Sequence, residues 1–137
     1  MSKIILIVED NEENLAMLVR RMTRRGYEVY RATNGSEGLE IARAIPRPDV
    51  ILMDLNMPVM DGWECTRQLK ADPDTRDIPV IAVSAEIDYR EKQKLDETGF
   101  YSYCLKPVDF DKLVRLTVSA IRETDQDSGP DALSSGG

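Results

Sequence analysis

Histidine is absent from the 137 residues, which removes every site that needs an imidazole within the chain: no Ser-His-Asp triad, no Cys-His dyad, no histidine metal ligand and no phosphohistidine. The two cysteines, Cys65 and Cys104, have no paired spacing, so neither a disulfide framework nor a structural zinc site is supported. No apolar run approaches the roughly 20 residues of a membrane span. The N-terminus reaches Glu9-Asp10 after too short an apolar stretch for a secretory signal, and a cytoplasmic protein is expected. Aromatics make up only 6%, and 25 acids stand against 18 bases. That balance argues against nucleic acid or an anionic membrane as the main partner.

What remains is enough for one domain and too little for two. Apolar residues form 42% of the chain, and they fall in two patterns. Lys3–Val8, Asp49–Met53 and Pro79–Val83 are nearly unbroken Ile- and Val-rich runs, the signature of parallel strands covered on both faces. Tyr27–Ala32 and Tyr101–Leu105 mix polar with apolar residues, as edge strands do. Between them Leu15, Leu18, Val19 and Met22 follow helical spacing up to Gly26, as do Phe110, Leu113, Val114, Thr117 and Ile121. Weaker helices fit Ser36–Ala44, Trp63–Ala71 and Ile87–Thr98, with Gly99 a C-cap for the last of these. That helix has few apolar residues and is expected to be the least firmly packed.

Five strands alternating with five helices imply right-handed βα units. The apolar strands belong in the middle and the mixed ones at the edges, which the order 2-1-3-4-5 satisfies; a flavodoxin-like (βα)5 fold is expected, a five-stranded parallel sheet in that order with helices on both faces. The folded domain is expected over residues 1–124. Residues 125–137 lose periodicity and read as a flexible acidic tail. Asp125, Asp127 and Asp131 account for three of the seven net negative charges, so the domain itself is close to ordinary in charge.

In such a sheet ligands bind beyond the carboxyl ends of the strands, at the point where strand order reverses. The rule selects Glu9 and Asp10 after the first strand, Asp54 after the third, Ser84 after the fourth and Lys106 after the fifth. Two like charges about 4 Å apart cost on the order of 4 kcal/mol at an effective dielectric near 20, so crowded carboxylates call for a cation. Lys106 offsets one charge, and a hard divalent ion, Mg²⁺ beside phosphate, offsets more. An aspartate between a metal and a lysine is a competent nucleophile toward phosphorus. Asp54 is the candidate, with Lys106 and a Ser84 hydrogen bond stabilising the transferring group.

These residues resemble the receiver domain of two-component response regulators, of the stand-alone kind seen in chemotaxis regulators. The resemblance rests on Glu9-Asp10, on Asp54-Leu55-Asn56-Met57-Pro58 with Met60-Asp61-Gly62, on Ser84-Ala85 and on Lys106-Pro107, and it covers about Lys3 to Arg122. It implies phosphorylation of Asp54 by a sensor histidine kinase or a histidine phosphotransfer protein, with Mg²⁺ held by Asp10, Asp54, the main-chain carbonyl of Asn56 and, through water, Glu9. It gives Ser84 and Tyr103 the roles of switch hydroxyl and switch aromatic. It assigns Asn56 and Glu86 to positions that tune the lifetime of the phosphoryl group. It also implies a cis bond before Pro107 that aims Lys106 inward, a form found at only about 5% of X–Pro bonds. Two positions depart from the commonest pattern: Glu9 stands for an aspartate, and Phe100 for a small residue.

Each feature has a plainer reading. Asp10 or Asn11 could simply cap a helix, Asp54 could end a strand in turn chemistry, and Lys106 could be solvated. Their coincidence at successive strand ends favours the site. Arg20, Arg21, Arg24 and Arg25 read first as a solvated helix face that can also steer the kinase encounter. The expected function is a phosphorylation switch that catalyses only its own phosphorylation and dephosphorylation. It would pass its signal to a separate downstream protein through the fourth helix, fifth strand and fifth helix, as a monomer or weak dimer. The alternatives are an aspartate-dependent phosphatase, a non-phosphorylated interaction module and, weakest, a flavin-binding protein.

Overall fold

The three nearly unbroken apolar runs become the inside of one sheet. In the computed structural model, which describes residues 2–127, the chain order is β1 Ile4–Val8, α1 Glu12–Arg24, β2 Glu28–Ala32, α2 Gly35–Arg43, β3 Val50–Asp54, α3 Gly62–Ala71, β4 Val80–Ser84, α4 Tyr89–Thr98, β5 Ser102–Leu105 and α5 Phe110–Asp127. The strands run parallel in the order β2-β1-β3-β4-β5. Every residue of β1, β3 and β4 is buried, whereas β2 and β5 carry exposed positions. Burial on both faces is what their near-continuous hydrophobicity requires.

Alternation along the strands splits the core in two. Ile5, Ile7, Leu52, Ile81 and Val83 pack against Leu15, Leu18 and Met22 of α1 and Leu113 and Ile121 of α5. Leu6, Val8, Ile51, Met53, Val80 and Ala82 face the other way, onto Leu39 of α2, Trp63 and Leu69 of α3 and Leu95 of α4.

The first four helices each start on a side-chain cap: Asn11, Asn34, Asp61 and Asp88 accept a backbone N–H three residues on. Of the two cap candidates before α1, Asn11 takes the role, so Asp10 is not spent on it. Helix α4 begins at Tyr89 rather than Ile87 because Asp88 and Glu91 form a reciprocal capping box. It ends at Gly99, whose φ of 102° is left-handed, and Leu95 is its one buried side chain. Helix α5 continues to Asp127, past Thr124, with Asp125 3.0 Å from Lys3 Nζ. The remainder of the tail expected over 125–137 lies outside the described residues.

Candidate functional site

The site assembles where β1, β3, β4 and β5 end. Glu9 follows β1 directly and is 2% exposed; Asp54 is the last residue of β3 and 5% exposed. Asp10 next to them is exposed. One carboxylate oxygen from each of Glu9, Asp10 and Asp54 lies within 4.8 Å of the others. From the far side Lys106, after β5, brings its ammonium 2.8 Å from Glu9 Oε1 and 3.5 Å from Asp54 Oδ2. The Lys106–Pro107 peptide is cis.

Three carboxylates against one ammonium leave the cluster short of positive charge. Burial, first, and the adjacent Glu9 carboxylate push Asp54 up to about 7, although Lys106 and the Asn56 N–H pull the other way. Burial would lower Lys106, but Glu9 and Asp54 outweigh it and the net shift is upward. Burial and a neighbouring like charge are together what hold a carboxylate this high. All-oxygen donors in an acidic cluster suit a hard divalent ion, so the residues present fit Mg²⁺.

The loops that frame the cluster are fixed by close backbone approach. Gly62, at the start of α3, donates its N–H to Leu55 O at 3.1 Å. A Cβ there would overlap the carbonyl oxygen of Asp54 and come within 2.9 Å of Leu55 Cα. Asn56 turns back on the strand end, its N–H 3.2 Å from Asp54 Oδ1. Ser84, 1% exposed, spends its hydroxyl on the next loop: it donates to Glu86 O at 3.1 Å and accepts the Glu86 N–H at 3.4 Å. Tyr103 is half-buried, with Lys92 and Lys112 ammoniums 6.0 and 5.7 Å from its ring centre. The sequence-selected residues Glu9, Asp10, Asp54 and Lys106 thus meet directly, while Ser84 ends β4, Glu86 lies in the loop after it, and Tyr103 sits within β5, paired in register with Ala82.

An open cleft of about 500 Å³ leads to Glu9 and Lys106 between α1 and the β5–α5 loop, walled by Met17, Leu18, Pro107 and Val108. No single motif marks it, because its lining comes from three segments far apart in sequence, residues 9–18, Ala85 and residues 106–108. Phe100, the unusual residue after Gly99, is buried and meets Trp63 edge-on, with ring centres 5.5 Å apart at 79°. Lys94 lies 4.2 Å from the Trp63 ring centre. This aromatic contact joins α3 to the end of α4 and was not legible as a pair. Both cysteines are buried, and burial pushes Cys65 up to about 12 and Cys104 upward as well. Neither thiol is poised for redox chemistry.

The family model described as the response regulator receiver domain matches residues 5–117. The chain belongs to this family. As a receiver domain it is 40% identical over 119 residues to the polar-differentiation response regulator DivK of Brucella anthropi, covering 87% of this chain and 96% of that one. Among solved structures, chemotaxis protein CheY4 of Vibrio cholerae superposes with a TM-score of 0.82 at 27% identity, over 88% of this chain and 99% of that one. The receiver domain of the sensor histidine kinase PA1611 from Pseudomonas aeruginosa PAO1 gives 0.80 at 30% identity, over 88% and 98%. That structure has a magnesium ion coordinated in its active-site cleft. The receiver fold here is therefore a member of two-component signalling. Among the described residues no helix is long and apolar enough to cross a membrane.

Proposed function

We propose that this receiver domain is a cytoplasmic phosphorylation switch in which Asp54 accepts a phosphoryl group from a histidine of a sensor kinase or phosphotransfer protein. The observation that carries the reading is the meeting of Glu9, Asp10 and Asp54 with Lys106 at the strand ends. Asp10, Asp54 and the Asn56 carbonyl would hold Mg²⁺ directly and Glu9 through water. When bound, the ion neutralises part of the carboxylate charge and screens the phosphoryl oxygens.

The donor imidazole, which this chain cannot supply, enters by the cleft beside Lys106. An Asp54 oxygen attacks phosphorus in line as the P–N bond breaks and its electron pair returns to the donor imidazole. Lys106 stabilises charge on the phosphoryl oxygens. Ser84 exchanges its bond to the Glu86 carbonyl for one to the phosphoryl group, and Tyr103 follows inward. The thinly packed α4, with β5 and α5, then presents an altered face to a downstream protein. Asn56 and Glu86, exposed two residues beyond Asp54 and Ser84, set how readily water reaches the aspartyl phosphate.

The chain transforms only itself: no multiple-turnover release of phosphate from phosphomonoesters is expected. The decisive experiment offers a small acyl phosphate with Mg²⁺ to the wild type and to Asp54→Asn, then separates phosphorylated from free protein on a phosphate-affinity gel. A shifted band in the wild type and none in the variant is expected. Equal labelling of Asp54→Asn would sink the reading.

A further inference from the structure

Lys106 has two buried carboxylates within reach and makes its shorter contact with Glu9, 2.8 Å against 3.5 Å to Asp54. Glu9 is engaged on both oxygens, since Oε2 also accepts the Asn11 N–H at 3.2 Å. The Glu9 side chain is 2% exposed and that of Lys106 21%, so solvent screens the pair little. Of the three acids in the cluster, the one that departs from the commoner aspartate makes the shortest contact with the lysine. Its additional methylene supplies the reach: withdrawing the carboxylate by one C–C bond, roughly 1.5 Å, takes it out of contact if the backbone stays in place.

We propose that Glu9 is a positioning residue that parks the Lys106 ammonium in the metal-free state, so that Mg²⁺ and Lys106 compete for the same carboxylate. The inference rests on the Mg²⁺ site proposed above and adds an order to its assembly. An ion that draws on Glu9 displaces the ammonium, and the freed ammonium turns to Asp54, where the phosphoryl group arrives. By linkage, whatever Lys106 costs Mg²⁺ binding, Mg²⁺ costs the Glu9–Lys106 pair. Metal binding and delivery of Lys106 to the nucleophile are then one exchange.

A double-mutant cycle on Mg²⁺ affinity tests this without reference to activity. Dissociation constants for Mg²⁺ are measured by titration calorimetry on the wild type, Glu9→Asp, Lys106→Met and the double variant, with circular dichroism to check folding. Removing the lysine charge tightens Mg²⁺ binding in any background through general electrostatics; only a direct Glu9–Lys106 pair makes the gain depend on residue 9. The expected gain from Lys106→Met is at least tenfold with Glu9 and no more than threefold with Asp at that position. Glu9→Gln, which cannot form the ion pair, provides a second background in which the gain is equally small. Equal gains in all backgrounds overturn the inference while leaving the metal site standing. Absence of Mg²⁺ binding in every variant overturns both.

Discussion

Asp54 carries an electrostatic burden that is measurable. Its carboxyl is pushed up to about 7 by burial and by Glu9, against an ordinary value near 3.9 in the unfolded chain. The folded, metal-free state therefore binds a proton that the unfolded state has lost between those two values, and stability rises as pH falls from about 7 toward 4. Asp54→Asn is expected to raise the melting temperature at pH 8, where it removes a buried charge. The gain should shrink steadily toward pH 5, as the wild-type carboxyl protonates; calorimetric scans without metal at several pH values check the sign. Thr66 presents a second residue-scale test. It is fully buried on α3, and its hydroxyl has no hydrogen-bond partner among the described residues. Thr66→Val removes an unsatisfied polar group at nearly constant shape, and a stabilisation of about 1 kcal/mol is expected in urea denaturation. The acids and the lysine were legible in the sequence because strand ends can be counted along it. The Glu9–Lys106 preference was not, since it depends on one methylene and on where β5 delivers Lys106.

The elements differ in how firmly they are held, and α4 is the least. One buried side chain, Leu95, and a capping box from Asp88 and Glu91 sustain its ten residues. Asp88→Ala is expected to cost about 1 kcal/mol. Hydrogen exchange should report it as faster exchange in α4 ahead of the central strands, as suits the element assigned to the output face. Helix α3 is constrained in the opposite sense, because its first residue, Gly62, touches the strand end that bears Asp54. Gly62→Ala forces a methyl into the Asp54 carbonyl, and a loss of about 2–3 kcal/mol is expected by denaturant titration. Residue patterns fixed where these helices run to within one or two positions. They could not show that Phe100 would reach Trp63, because that contact joins two elements whose spacing only the assembled sheet defines.

Across the whole molecule, apolar burial on both sheet faces sets the fold and charge placement sets the site. Surface ion pairs contribute little: Lys3 and Asp125 join the two ends of the described chain but are 42% and 54% exposed. Lys3→Ala should change stability by less than about 0.5 kcal/mol. A ligand that binds only the folded state is different in scale. At a hundred times its dissociation constant it adds about 2.7 kcal/mol, a rise of roughly 10 °C in a domain of this size. Mg²⁺ is expected to produce such a shift in the wild type, reversed by chelator, and little or none in Asp10→Ala. The sequence by itself determined which strands are central and which are edges, because unbroken apolar runs must lie inside a parallel sheet and mixed ones at its edges; the order 2-1-3-4-5 satisfies that rule and is the one observed. The sequence also determined which side chains gather at the strand ends, since a βα repeat returns every strand to the same pole. Only the tertiary structure decided how those side chains pair. Lys106 lies nearer Glu9 than Asp54, Ser84 bonds to Glu86, and Phe100 packs on Trp63 because ångström-scale distances across the sheet, not position along the chain, govern contact energies.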